Sequence, residues 1–261
     1  MWQVQHSGFT VHQWPALADN YIWVVVDHAS TTVAVIDPGD ASAVARGCRQ
    51  HGLTPTHILN THHHWDHTDG NRALKERFGC RVLGAAQDAH RLPVLDEELA
   101  PGPLRLGTLP CSVLSLPGHT SGHIGFLIGD ALFCGDVLFG AGCGKLFEGT
   151  PAQMWDSLQR IAALPPATRI YTAHEYTRYN LPFAVQVDGD NPELGKRILE
   201  TEHLLAAGQP TAPTTLELEL TTNPFLRPLD PDFCRRYAAR HRLPAEPLAV
   251  FTHLRTARDR K

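Results

Sequence analysis

The chain has 261 residues, of which 43% are hydrophobic and 19% are charged, and its formal net charge is −4. This composition is typical of a globular protein with one or two domains, and it excludes a fibrous or disordered chain. The slightly negative charge provides no overall attraction to nucleic acid or to anionic lipid. We therefore expect neither nucleic acid nor a membrane as a partner.

Histidine and cysteine usage narrows the possible chemistry. The chain has 16 histidines, and its six cysteines form no Cys-x-x-Cys pair, so neither a thiolate metal site nor a disulfide framework is expected. Any bound metal should then have nitrogen and oxygen ligands. The first five residues do not resemble a signal peptide, and the longest aliphatic and aromatic run, residues 21–26, is too short to cross a membrane. With the unpaired cysteines, these features predict a cytoplasmic protein.

Short strands alternate with short helices over the first two thirds of the chain. Helices are predicted over 40–52, 70–78 and 150–164, the last with Thr150 as N-cap and Pro151 at the first helical position. Strands are predicted at residues 21–26, 32–36, 57–60, 81–84, 111–116, 124–128, 131–134 and 169–171.

The pattern changes after about residue 178, where Asn-Pro, Asp-Pro and Glu-Pro pairs mark helix starts. They predict helices over 192–207, 231–241 and 247–258. The segment Leu216–Leu220 alternates apolar and acidic residues, which predicts a short strand or an extended linker. The chain is therefore expected to have a β-rich N-terminal domain and a smaller, mainly helical C-terminal one.

A cluster of metal-binding residue types follows the predicted strand at 57–60. It reads His62-x-His64-x-Asp66-His67. In an extended segment the imidazoles of His62 and His64 can point to one place, while Asp66 and His67 face a second place nearby. Imidazole and carboxylate together are typical ligands of zinc, iron or manganese.

Three further residues of these types also come directly after predicted strands, namely His119, Asp136 and His174. Taken singly, each is more typical of a structural, surface or turn residue. Together with the first cluster they make five histidines and two aspartates, a set that suits two metal ions with Asp136 as the bridge. His63 and His123 are expected to pack behind the ligands.

The segment Thr61–His67 resembles the signature of the metallo-β-lactamase superfamily. More narrowly, the chain is similar to glyoxalase II, the hydroxyacylglutathione hydrolases, in residues 19–21, 142–150, 174–177 and 223–227. The resemblance covers essentially the whole chain. It implies an α/β (α+β) fold, an αββα metallo-β-lactamase sandwich over 1–175 that holds the metals, with a small helical substrate-binding domain over 176–261.

The resemblance also implies the roles of individual residues. One metal would be bound by His62, His64 and His119, a second by Asp66, His67 and His174, with Asp136 as bridge. The metals would be two divalent ions, zinc in the first place and iron or manganese as alternatives. In such enzymes a bridging hydroxide attacks the thioester of S-D-lactoylglutathione and releases D-lactate and glutathione. Asp66 and Asp136 would be the catalytic carboxylates, with Asp66 orienting the hydroxide.

Glutathione binding in the family implies four further residues of this chain, Lys145, Tyr176, Arg255 and Arg258. The basic C-terminal residues would form a donor-rich clamp for the glycine carboxylate of glutathione. Phe147 departs from those members that have a tyrosine at this place, so one phenolic hydrogen bond to the tripeptide is not expected here. The chain ends in Arg260-Lys261, where an aromatic residue is common. The resemblance predicts a monomer that acts on a small glutathione thioester in methylglyoxal detoxification.

Two other functions are open to the same residues. One is a persulfide dioxygenase of the same superfamily, with a single iron on His62, His119 and Asp136. The other is a non-catalytic binding or scaffold protein with a decayed site. The complete set of seven ligands and the glutathione-binding tail favour the thioesterase.

Overall fold

The computed structural model describes residues 2–260, so Lys261, the last residue of the basic tail, lies outside it. The chain forms two compact units. The first holds the described residues up to 115, with 122–135 and 171–174; the second holds 116–121, 136–170 and the described residues from 175 onward. The predicted domain boundary at residue 175 stays a prediction.

A seven-stranded sheet in the order β1 to β7 is the main element of the first unit. Neighbours from β1 to β4 are antiparallel, and those from β4 to β7 are parallel. The connections β4–β5 and β5–β6 carry α-helices, as crossover connections usually do, and the connection β6–β7 carries only a short 3₁₀ turn at Ala86–Asp88. The strands are Trp2–His6, Phe9–Ala16, Asn20–Asp27, Val33–Ile36, His57–Leu59, Arg81–Ala85 and Glu97–Leu99, and the helices are α1 (Ala41–His51), α2 (Trp65–Thr68) and α3 (Asn71–Phe78).

A second sheet has six strands in the order β15-β14-β11-β10-β9-β8. Strand β14 passes from the second unit into the first at residue 171. A separate hairpin of two short strands, β12 and β13, belongs to the second unit. The strands are β8 (Gly102–Leu106), β9 (Leu109–Ser115), β10 (Ile124–Ile128), β11 (Ala131–Gly135), β12 (Leu138–Phe139), β13 (Gly142–Cys143), β14 (Arg169–Thr172) and β15 (Thr214–Thr215).

In the described part of the chain, six α-helices belong to the second unit, and four of them begin with proline at the first helical position. Thr150 caps the first of these with a complete capping box to Gln153, and the side chains of Asn191 and Asp230 cap two others. The helices are α4 (Pro151–Ala162), α5 (Thr177–Asp188), α6 (Pro192–Ala206), α7 (Leu216–Thr222), α8 (Pro231–His241) and α9 (Pro247–Asp259). None of the helices in the described part of the chain is long and apolar enough to cross a membrane.

The structure confirms the predicted helices and strands except at one segment. Leu216–Leu220 is not a strand or a linker but lies in α7. The alternation of apolar and acidic residues predicted the wrong secondary structure here. Leu216 and Glu219, three residues apart, are both buried on one face of a helix, and Thr215 caps that helix. The strands β1, β2, β7, β8, β12, β13 and β15 and the helices α2 and α5, the last of which contains Pro182, were not predicted.

Gly47 of α1 gives a test of the packing in the first unit. A Cβ atom at this position would lie 2.4 Å from the ring of the fully buried Trp14. We expect Gly47→Ala to lower the free energy of unfolding by about 1–3 kcal/mol, as overpacking does. The measurement is urea unfolding followed by circular dichroism.

Gly195 of α6 is the matched control, because it is also inside a helix but is exposed, and nothing lies near its added Cβ. Gly195→Ala should raise the free energy of unfolding by about 0.5–1 kcal/mol through helix propensity. Equal stabilisation by both substitutions would contradict the proposed contact with Trp14.

Candidate metal centre

The predicted metal-binding cluster follows strand β5, which ends at Leu59. The chain turns through residues 60–64, and α2 begins at Trp65 with His64 as its N-cap. This turn brings Nε2 of His62 to 3.1 Å from Nδ1 of His64. His62 and His67 are buried, and their ring centroids lie 4.1 Å apart. The first unit therefore brings these three histidines together, as predicted.

Asp66, His67 and His174 form a second group within the same unit. Their candidate ligand atoms all lie within 4.8 Å of one another. Oδ2 of Asp66 lies 3.4 Å from Nε2 of His67 and 3.5 Å from Nε2 of His174. His174 comes directly after β14, which carries it from a distant part of the chain to this place. One carboxylate oxygen and two imidazole nitrogens thus converge, a typical donor set for a divalent transition metal.

The other ring nitrogen of each histidine in this second group is hydrogen-bonded to a carboxylate. Nδ1 of His174 lies 2.8 Å from Oδ1 of Asp19, and Nδ1 of His67 lies 3.1 Å from Oδ2 of Asp37. When Nδ1 carries the hydrogen, Nε2 keeps the lone pair that a metal needs. These contacts fix both the tautomer and the direction of the rings.

Asp37 organises the start of the cluster as well. Its carboxylate accepts hydrogen bonds from the backbone N and the hydroxyl of Thr61, at 2.8 and 2.7 Å. The Thr61 hydroxyl lies 3.0 Å from Nδ1 of His62. Asp37 adopts a positive φ of 51°, a conformation uncommon for a non-glycine residue and concentrated at functional sites. Since both carboxylate oxygens are engaged, Asp37 supports the ligands.

His119 and Asp136, the remaining two predicted ligands, lie together in the second unit. Nε2 of His119 is 3.4 Å from Oδ2 of Asp136, and both side chains are buried. Nδ1 of His119 is 2.8 Å from the backbone carbonyl of Lys145. This histidine therefore has the same arrangement as His67 and His174, with an oxygen on Nδ1 and Nε2 beside a carboxylate.

The four residues implied in glutathione binding differ in their exposure. Lys145 is exposed, with its ammonium 5.4 Å from the centre of the Phe147 ring, and Tyr176 packs its ring on Phe139. Arg258 is half-buried. Arg255 is almost fully buried, and its Nη1 donates to the carbonyl of Cys143.

Comparison with known proteins matches both parts of the chain. Residues 18–174 match the model of the metallo-beta-lactamase superfamily, and residues 175–261 match the hydroxyacylglutathione hydrolase C-terminus. The chain is 45% identical over 256 residues to the hydroxyacylglutathione hydrolase of Rhodospirillum rubrum, covering 97% of this chain and 99% of that protein. The corresponding protein of Acidiphilium cryptum is 48% identical over 240 residues, covering 91% and 98%.

The chain belongs to the hydroxyacylglutathione hydrolase family. Two solved structures show the same fold and confirm the predicted metallo-β-lactamase class. ETHE1 from Myxococcus xanthus has a TM-score of 0.65 at 26% identity, covering 94% of this chain and 98% of its own. A protein described as TTHA1623 in a di-iron-bound form has a TM-score of 0.61 at 26% identity, covering 82% and 98%.

The residues of this hydroxyacylglutathione hydrolase chain fit divalent metal ions. The donors are imidazole nitrogens and carboxylate oxygens, and three of the histidines have their second nitrogen bonded to an oxygen. A metal-binding histidine usually has such an oxygen beside its other ring nitrogen.

The sequence did not identify the oxygens that orient the histidines. Asp37 could have been found, because it follows strand β4 just as the predicted ligands follow theirs. Asp19 was part of a resembling stretch but carried no assigned role. The carbonyl of Lys145 could not have been predicted, because every residue type has a backbone carbonyl. Asp88, which lies 3.0 Å from Nδ1 of His63 and holds that ring, was also missed.

Asp19 provides a test of the orienting role. We expect Asp19→Ala to weaken binding of Zn²⁺ to the metal-free protein by about 10- to 100-fold, because the His174 ring loses its partner. Competition with a chromophoric chelator measures the affinity. The matched control is Asp69→Ala, which removes an exposed carboxylate close to the same motif. Equal affinities of the two variants would contradict the role of Asp19.

Proposed function

We propose that this protein hydrolyses S-(2-hydroxyacyl)glutathione thioesters, above all S-D-lactoylglutathione, to glutathione and D-lactate, and so serves methylglyoxal detoxification. The observation that carries the proposal is the near full-length identity of about 45% to curated hydroxyacylglutathione hydrolases, which includes the C-terminal family segment from residue 175. The C-terminal segment distinguishes this family within a superfamily of many metal-dependent activities.

The proposed metal centre has seven ligands. Two divalent metal ions would supply a water of lowered pKa and would polarise the thioester carbonyl. Zinc is the metal we propose, with iron and manganese accepted by the same donor set. The ligands are His62, His64 and His119 for one metal, Asp66, His67 and His174 for the other, and Asp136 for both.

The residues of the chain direct the chemistry in this proposal. The carboxylates of Asp66 and Asp136 orient the attacking oxygen. The amide of Asn20 lies 3.2 Å from Oδ2 of Asp66 and restrains it. A thioester suits such a site because its leaving thiolate needs no strong general acid. No titrating acid is therefore required beside the ligands.

The tripeptide part of the substrate is proposed to bind to the second unit. Lys145, Tyr176, Arg255 and Arg258 provide positive charge and hydrogen-bond donors for the carboxylates and amides of glutathione. Phe147 is 61% exposed and contributes an apolar ring but no hydroxyl. The proposed domains are a metal-binding catalytic domain over 1–175 and a substrate-binding domain over 176–261.

We propose a cytoplasmic monomer. All six cysteines are buried, and none in the described chain forms a disulfide, as expected in a reducing compartment.

Metal removal and ligand substitution test the proposed reaction. We expect S-D-lactoylglutathione hydrolysis by the metal-replete protein, its loss on chelation and its return with Zn²⁺. Asp136→Ala should reduce kcat at least 1000-fold, since the bridging carboxylate is lost; about 4 kcal/mol of transition-state stabilisation corresponds to that change. The assay follows thioester absorbance, and metal content is measured in the same samples.

A persulfide dioxygenase would behave differently in the same preparation. It would consume oxygen with glutathione persulfide and leave the thioester intact. That outcome, or near-normal kcat in Asp136→Ala, would overturn the proposal.

Lys145 tests the binding of the glutathione part. Lys145→Ala should raise KM about tenfold with little change in kcat, because it removes an attraction present in both ground and transition states. Lys196→Ala is the control, since Lys196 is an exposed lysine that pairs with Glu193 on α6. A fall in kcat at constant KM would argue against Lys145 as a substrate-binding residue.

A further inference from the structure

The segment 142–145 lies directly against two of the proposed metal ligands. It begins at strand β13, whose Cys143 pairs with Leu138 of β12. A Cβ atom on Gly144 would lie 1.8 Å from the carbonyl oxygen of Asp136 and 3.2 Å from Nδ1 of His119. Only glycine permits this approach. The backbone of this segment, called here the ligand loop, therefore forms part of the wall beside His119.

Lys145 connects the ligand loop to both the metal centre and the substrate. Its carbonyl is the hydrogen-bond partner of His119 Nδ1 at 2.8 Å. Its side chain extends over Phe147, whose ring in turn packs edge-on against His119 at 5.2 Å. A displacement of the ligand loop would consequently move the orienting oxygen of His119 and the proposed glutathione-binding ammonium together.

Arg255 of α9 holds this loop from the other side. Its Nη1 donates to the carbonyl of Cys143 at 2.9 Å and lies 3.5 Å from the carbonyl of Gly144. Its Nη2 donates to Asp259 at 2.8 Å, and its guanidinium lies 5.1 Å from the centre of the Phe225 ring. With 6% exposure, the residue is placed to bind backbone carbonyls.

The burial of this charge distinguishes Arg255 from Arg258. Arg258 lies one turn further along α9, is half-buried, and reaches the carbonyl of Tyr179 at 3.3 Å and Oδ1 of Asn180 at 3.4 Å. Within residues 2–260 its hydrogen bonds go to these two residues and not to the ligand loop. A buried guanidinium loses its hydrogen bonds to water and needs fixed protein acceptors in their place. For Arg255 those acceptors include the carbonyls of the two residues before Lys145.

We propose that Arg255 is a positioning residue for His119. It fixes the ligand loop, and the loop holds the Lys145 carbonyl where it orients Nε2 of His119 toward the proposed metal site. The same loop places the Lys145 ammonium toward the proposed glutathione site. The inference deepens the proposed function and rests on it, because it gives Arg255 a role in the metal centre besides that of a carboxylate clamp. The C-terminal helix would thus control a metal ligand through two backbone carbonyls.

Measurement of Zn²⁺ affinity distinguishes this positioning role of Arg255 from direct binding of the glutathione carboxylate. We expect Arg255→Ala to lower the affinity for one of the two Zn²⁺ ions by about tenfold. This is the lower end of the loss expected when a group that orients a metal ligand is removed. Arg258→Ala removes the same charge from the same helix, and it should raise KM while Zn²⁺ affinity stays at the wild-type value. Both affinities are measured on metal-free protein by chelator competition, with circular dichroism as the check on folding.

Arg255→Lys is the second variant, and it decides the question if the alanine variant does not fold. It keeps the buried charge but lacks the planar fork, so it should also weaken Zn²⁺ binding, by a smaller factor. Wild-type Zn²⁺ affinity in a folded Arg255 variant, with only a raised KM, would overturn the inference.

A double substitution adds a kinetic test. If Arg255 acts through the ligand loop, the rise in KM caused by Arg255→Ala should shrink in a Lys145→Ala background, because the positioned ammonium is already absent. Fully multiplicative effects would contradict it. Since Zn²⁺ affinity needs no substrate, absence of thioesterase activity in the wild type would refute the proposed function without deciding the role of Arg255.

Discussion

The geometry of the candidate metal centre depends on oxygen atoms that hold the Nδ1 side of its histidines. Asp37 does this for His67, Asp19 for His174, and the carbonyl of Lys145 for His119. An imidazole is symmetric enough to rotate or change tautomer, so a ligand histidine without such a partner presents its lone pair in several directions. The three oxygens remove that freedom before any metal arrives. The first two are negative, which also makes their histidines more basic ligands.

A second polar network supports the hairpin β12–β13 in the same unit as His119. The fully buried Glu219 pairs with Arg197 and accepts a hydrogen bond from the backbone N of Ala141 at 3.0 Å. Asn223 donates to the carbonyls of Phe139 and Gly142, at 3.1 and 2.9 Å. A buried charge pair is expensive unless its remaining hydrogen-bond capacity is used. Here that capacity is used on the backbone of a hairpin that leads into the ligand loop.

The elements that the sequence predicted well are those with continuous apolar runs or strong caps. Strand β3 is nearly all apolar, and α4 has a complete capping box, so local signals were sufficient. Strand β2 was missed because it buries His12 and Gln13, polar residues that weaken the hydropathy signal. Its burial depends on its position between two other strands, and no local pattern contains that information.

The candidate metal ligands could be proposed from the sequence because four of them share one motif and the other three each come just past a predicted strand. The contacts that orient these ligands were not predicted, and the reason differs from one contact to the next. A backbone carbonyl such as that of Lys145 is independent of residue type. Arg255 was predicted only as part of a clamp for glutathione, and the packed structure is needed to show that its buried guanidinium donates to a backbone carbonyl.

The two compact units alternate along the chain, since residues 116–121 and 136–170 belong to the same unit as the C-terminal segment. No single cut separates them. A nascent chain that has reached residue 170 has made two pieces of the second unit, yet it still lacks their partners from 175 onward. It also lacks residues 171–174, which include His174. Completion of the second unit therefore waits for the segment from residue 175 onward, and a protein shortened at residue 175 would expose apolar surface on segments that precede the cut. Loss of the C-terminal part is then expected to impair folding, apart from any effect on the proposed substrate binding.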